Sequence, residues 1–175
     1  MTKNLMRDIG YKCTPQITSK YAGFSAIEMM VVVAIIAILA MIAIPSSMGR
    51  IVKEQVLAAM PLADIAKTPI AANWVQSKTL LADNKAAGLP TPDKIVSNFV
   101  SSVEVQNGAI HMTFGNKAHP QIKGKVLSFR PAVIEESQLV PMTWVCGYAN
   151  APDKMTLMGE NKTNVSVDYL PMLCK

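Results

Sequence analysis

The chain is short of charge, of aromatic residues and of histidine. Charged residues fill 17% and aromatic residues 6% of its 175 positions, and there are two histidines. His111 and His119 have no cysteine, histidine or carboxylate at ligand spacing, so no metal site is expected. The sequence has no glycine-rich phosphate loop, no nucleophile elbow and no paired carboxylates in a pocket-like context. Each absence removes a class of chemistry, and no catalytic constellation or cofactor site is left. A basic surplus of useful size is also missing beyond the first residues. The net charge is +5, but Lys3, Arg7, Lys12 and Lys20 against Asp8 place +3 of it in the first 23 residues. The +2 that remains is too weak to argue for a DNA-binding groove.

What the chain does have is one long uncharged run. Half the residues are apolar, enough for the core of a single compact domain, yet much of that content lies together. From Met29 to Gly49 no residue is charged, a stretch of 21 positions. At about 1.5 Å per helical residue it reaches roughly 30 Å, enough to cross a bilayer core. It is apolar all round, and a chain this short cannot bury such a helix in protein. The basic first segment fits the positive-inside rule. A cleaved secretory signal is the competing reading, but its apolar region is normally shorter, and Ala43, Pro45 and Ser46 make a poor cleavage site.

Beyond Pro45, where a helix loses one hydrogen bond, the pattern turns amphipathic. Ile51, Val52, Gln55, Val56, Ala59, Leu62, Ala63, Ala66 and Ile70 keep three-and-four spacing, with Arg50, Lys53, Glu54, Asp64 and Lys67 mostly between them. The reading is one helix of about 50 residues, bent or ended early by Pro61 or Pro69. Its first half suits lipid and its second half a globular core.

These residues resemble a known family. Gly23-Phe24-Ser25-Ala26-Ile27-Glu28, then the apolar run and Pro45, are similar to the processing site and first helix half of bacterial type IV pilins of the N-methylphenylalanine class. The resemblance implies cleavage between Gly23 and Phe24 by a prepilin peptidase, N-methylation of Phe24, and roles in assembly for Glu28 and Pro45. The leader, at 23 residues, is long for a phenylalanine start, and Met6 is an alternative initiator; Ala26 stands where the family often has leucine. The implied division is 1–23 as cleaved leader, 24–49 as the transmembrane and filament-core helix half, and 50–175 as the exported globular domain. The implied partners are further copies of the chain, the peptidase and methyltransferase, the pilus assembly platform and the membrane. A host surface, DNA or a phage would be met by the finished filament. The implied location is the inner membrane of a Gram-negative bacterium before assembly and the extracellular pilus after it.

The second half of the sequence reads as a loop and then a sheet. Ser77 to Pro92 carries Asp83, Asn84, Gly88, Pro90 and Pro92 and reads as a loop. Val103–Gln106 and Ala109–Phe114 alternate with period two around Asn107-Gly108, a strong hairpin signal. Val103, Val105, Ile110, Met112 and Phe114 then face one core. A third strand is expected over Lys125–Arg130, with Leu127 and Phe129 inward. A fourth is expected over Met142–Ala149, with Trp144, Cys146 and Tyr148 sharing a face. The expected fold is α+β, a long N-terminal helix packed on a four-stranded antiparallel sheet, and it resembles the pilin fold.

The resemblance extends to the C-terminal cysteine pair and implies a Cys146–Cys174 disulfide, two buried thiols being the alternative. Closing a loop of about 28 residues stabilises by roughly 3.5 kcal/mol in the chain-entropy model, and export to an oxidising compartment favours the bridge. Cys13 would leave with the leader. The two Asn-x-Ser/Thr sequons at Asn161 and Asn164 read as chance matches in a bacterial protein. Lys117, Lys123 and Lys125 read as solvated charges, as do Glu135 and Glu136. Three functions compete: a structural pilus subunit; a minor pilin or type II secretion pseudopilin; and a bitopic membrane protein with a periplasmic binding domain, in which Glu28 is incidental.

Overall fold

The computed structural model describes residues 23–135, 137 and 140–175, and the side chains of these except at positions 43–47. The leader before Gly23, with Met6 and Cys13, and Glu136 lie outside the described residues. The chain forms two compact units that divide after Ala40. Helix α1 spans Ala26–Ala59 and so begins in the first unit and ends in the second. Its backbone stays α-helical through position 45. A 3-10 turn follows at Met60–Ala63, and helix α2 spans Asp64–Ser77.

The prolines explain this division. Pro61 has no N–H to give the carbonyl four residues back, and its ring crowds that carbonyl. The chain therefore tightens to 3-10 for one turn and then resumes. Pro69 sits inside α2 without ending it. The helix stops where Lys78 turns left-handed, φ 56°, and its N–H closes on the Trp74 carbonyl at 3.0 Å. The buried face is Val52, Val56, Ala59, Ala63, Ala66, Ile70 and Trp74. Its spacing of three and four keeps one stripe inward across the 3-10 turn. Ile51, expected inward, lies off this stripe and is exposed.

The sheet is an antiparallel meander of β1 (Val100–Gln106), β2 (Ala109–Phe114), β3 (Val126–Val133) and β4 (Thr143–Cys146) in that order. Gln106 pairs with Ala109 across Asn107-Gly108, and both turn residues have positive φ, 47° and 78°. That is the two-residue turn whose twist matches the strands. Register then follows: Val103 faces Met112, Val105 faces Ile110, and Ile110 and Met112 face Phe129 and Leu127. All six side chains join the helix stripe from Val52 to Ile70 in one hydrophobic core, with Phe114, Ile122, Val165 and Leu170. Lys67 of α2 places its ammonium 5.0 Å from the Phe129 ring centre.

A two-residue β5 (Thr156–Leu157) adds to this sheet. Ala132 pairs with Thr143 on one side and with Leu157 on the other, so β5 takes the edge of β3 beyond the end of β2. The sequence reading stopped β3 at Arg130, before a proline. The strand in fact continues to Val133, because Pro131 needs only to present its carbonyl, which accepts from the Met158 N–H at 2.9 Å.

Candidate functional site

The residues singled out from sequence fall in two places: the start of α1, and the C-terminal stretch closed by a disulfide. At the start of α1, Ser25 precedes the first helical residue and Glu28 is the third helical position. The Ser25 backbone N–H donates to Glu28 Oε2 at 3.1 Å. This is half of a capping box, in which the acid at the third position satisfies an N–H left over at the helix start. The carboxylate also lies near the positive end of the helix dipole. Only one of its oxygens has a partner among the described residues.

From Gly23 to Ile42 every residue is exposed. Phe24 is 77% exposed, Ile27 70% and Met30 72%, values a water-soluble helix does not carry in series. Taken over the described side chains, no helix is long and apolar enough to cross a membrane. The described apolar stretch ends at Ile42, while the uncharged sequence continues to Gly49. Pro45 falls in that continuation; its backbone is helical and its side chain lies outside the description.

At the other end, Cys146 and Cys174 are joined, 28 positions apart, with Cα atoms 4.7 Å from each other. Both are buried in the core cluster. Gly147 makes the closure fit. It has φ +63°, and a Cβ there would run into the Cys174 carbonyl oxygen. The Tyr148 N–H donates to that same oxygen at 2.9 Å. Tyr148 was expected to share a strand face with Trp144 and Cys146; it is instead outside β4 and exposed. Its hydroxyl reaches the Thr163 carbonyl at 3.1 Å.

The segment between the cysteines is tied to β3. The Val126 N–H donates to Asn164 Oδ1 at 2.6 Å, and the Asn164 N–H donates to the Val126 carbonyl at 3.0 Å. The Ser128 N–H donates to Thr163 Oγ1 at 3.0 Å. Asn161 donates to the Gly147 carbonyl at 2.9 Å. Asn164 and Thr163 thus complete the part of β3 that β4 is too short to cover, while Asn161 ties the stretch to Gly147.

Three further residues matter and gave little sequence signal. Asn84 lies in the loop after α2, yet it is 5% exposed. Its amide nitrogen donates to the Val103 and Pro90 carbonyls, both at 3.0 Å, and its Oδ1 accepts from the Val105 N–H at 2.6 Å. It therefore fills the outer edge of β1 as a neighbouring strand would. Gln55 accepts from the His119 N–H at 2.8 Å, joining α1 to the β2–β3 connection. His111, which carried no ligand signal in the sequence, is buried on β2. Its Nδ1 lies 2.9 Å from Ser128 Oγ, and its Nε2 has no hydrogen-bond partner. Among the described residues no cluster of potential ligands could hold a metal ion.

An exposed apolar helix behind a glycine, a helix-on-meander core and a C-terminal disulfide now stand together. Residues 52–175 match the family of pilins, bacterial filament proteins, and residues 18–44 match the prokaryotic N-terminal methylation motif. The chain belongs to the type IV pilin family. It is 29% identical to a fimbrial protein of Neisseria meningitidis serogroup B over 87% of this chain and 93% of that one. It is 30% identical to the type IV major pilin protein PilE1 of Neisseria gonorrhoeae, over 87% and 86% of the two. It is also 30% identical to fimbrial protein Q of Moraxella bovis, over 87% and 96%. The pilin fold expected from the sequence is present: the helix stripe packs on the antiparallel sheet, and the disulfide joins the residues expected.

Proposed function

We propose that this pilin is inserted in the inner membrane by residues 24–49, cut between Gly23 and Phe24, methylated on Phe24, and polymerised through its N-terminal helix into a type IV pilus. That the chain is a pilus structural subunit, in a family that is structural rather than catalytic, follows from its membership. The observation that carries the finer reading is the unbroken exposure of apolar side chains from Phe24 to Ile42. That surface needs lipid before assembly and other copies of the helix afterwards. The prepilin peptidase and the assembly platform are then its partners in turn.

Glu28 is the test of the polymerisation step. A carboxylate costs about 2.5–3.5 kcal/mol at a membrane helix centre and less near the interface. The Ser25 contact answers part of its hydrogen-bonding need but neutralises no charge. Cleavage creates an amine on Phe24, one helical turn away, and in a bundle of axially staggered helices that amine of one copy can meet Glu28 of the next. The pair would fix register between neighbours. Intact-mass analysis of sheared filaments should give subunits of 152 residues, 175 less the leader of 23, with one added methyl. Glu28→Ala, as sole subunit, should be cleaved and inserted but yield few filaments. A helix-capping role alone, worth a few tenths to about 1 kcal/mol, would leave filaments near normal. Normal piliation by Glu28→Ala therefore refutes the register role, and leader-bearing filament subunits refute the processing.

A further inference from the structure

The buried imidazole of His111 sits beneath the disulfide-bounded segment, and one hydroxyl connects the two. Ser128 Oγ lies 2.9 Å from His111 Nδ1 and accepts from the Lys162 N–H at 2.9 Å. An oxygen that accepts from Lys162 still has one proton to give, and a neutral imidazole with its lone pair at Nδ1 takes it. The stretch that carries Lys162 is held at one end by β5 on β3 and at the other by the fully buried Val165. Between those anchors it is also bonded to the edge of β3 through Thr163 and Asn164 and to Gly147 through Asn161; Ser128 Oγ is the contact that leads to the imidazole.

We propose that the His111–Ser128–Lys162 contact is an acid-sensitive latch, which holds residues 158–164 on the sheet while His111 is neutral and lets them lift when it is protonated. The physical conflict is local. A proton on Nδ1 reverses the bond, so that Nδ1–H donates to Ser128 Oγ and the hydroxyl must turn its own proton away from the ring. It also places a cation under cover with its second N–H, at Nε2, unpartnered. Buried charge without a partner is unfavourable, and lifting the segment admits water to it. The charged groups around the ring come from both layers. Glu104 pairs with His111 from β1, Lys162 and Glu160 come from the segment, and Arg130 lies two residues beyond Ser128 on β3. Burial is the main reason the ring titrates below the usual histidine range; the Lys162 ammonium adds to it, and Glu104 and Glu160 oppose it. The latched state therefore binds the proton less tightly than the lifted one. As pH falls below about 6.5, lifting becomes more favourable by about tenfold per unit, until the latched ring itself is protonated. The disulfide keeps the lifted segment attached and limits the opening to this stretch.

The experiment is hydrogen–deuterium exchange on the full chain in detergent micelles at pH 7.5 and 5.0, each corrected for intrinsic exchange. Peptides covering 158–164 should lose protection at the lower pH, by up to about thirtyfold, and those covering the 103–114 hairpin should not change. His111→Gln should remove the acid response. If that variant does not fold, Lys162→Gln should move the midpoint of the response to higher pH and Glu160→Gln to lower pH. Equal protection of 158–164 at both pH values overturns the latch. So does a loss shared by the hairpin, an acid response retained in His111→Gln, or midpoints unmoved by both charge variants.

Discussion

Replacing Asn84 should be among the most damaging single changes outside the hydrophobic core. Its side chain stands in for a strand against β1, donating to one β1 carbonyl and accepting from one β1 N–H. Asn84→Ala leaves the Val103 carbonyl and the Val105 N–H without partners, beside residues that are fully or nearly fully buried. Each orphaned group costs about 1–3 kcal/mol. The adjoining cavity of about 500 Å³, lined by Leu89, Pro90 and Val105 among others, admits water to part of the site. The lower half of the summed range, about 2–4 kcal/mol, is therefore expected. For a chain of this length that lowers Tm by roughly 5–15 °C. Asn84→Asp separates the hydrogen-bond argument from simple volume loss. It keeps an acceptor for the Val105 N–H but turns an oxygen toward the two carbonyls that Asn84 now serves, so it should cost at least as much as alanine at neutral pH. Urea unfolding of the detergent-solubilised chain, followed by the fluorescence of Trp74 and Trp144, measures both. A wild-type midpoint for Asn84→Asp would refute the edge-filling account.

Removing the disulfide by Cys146→Ser with Cys174→Ser should cost about 3.5 kcal/mol in the chain-entropy model. Unreduced peptide mapping of the wild type should show the two cysteine peptides linked, and free alkylation of both in folded protein would contradict the bridge. Gly147→Ala should destabilise by at least about 1–3 kcal/mol, because it combines a strained left-handed backbone with a collision against the chain end. Thermal melts would show this, and an unchanged Tm would mean that the C-terminal turn is free to shift.

The features legible in the sequence were those set by periodicity or by a turn. Asn107-Gly108 fixed the hairpin register, and the alternation around it marked Val103, Val105, Ile110, Met112 and Phe114 as core. The helix stripe was legible from Val52 to Ile70 but not at Trp74; Ile51 was placed inward because a run of adjacent apolar residues does not say which of two lies on the face. Edge chemistry was not legible. Asn84, Thr163 and Asn164 have the composition of loop residues, and their work depends on which strand the loop passes, a long-range fact. Trp74, His111 and β5 escaped for the same reason: each takes its environment from a segment distant in sequence. At the N-terminal site, Gly23, Phe24 and Glu28 were legible as a motif, while the Ser25–Glu28 cap is a detail of one helix turn.

The covering of the sheet edges has a consequence for a protein whose proposed work is to polymerise. A chain that meets copies of itself at high local concentration, with an open strand edge, can recruit them strand by strand into a cross-β fibre that does not come apart. Here Asn84 occupies the outer side of β1, the 161–164 stretch and β5 complete β3, and β4 is only four residues long. Growth by backbone pairing is thereby hindered at the β1 and β3 edges, and β4 offers only a short one. Association is left to side-chain packing along the apolar helix, whose contacts lipid can replace, so a filament built this way can be dismantled into intact, folded subunits.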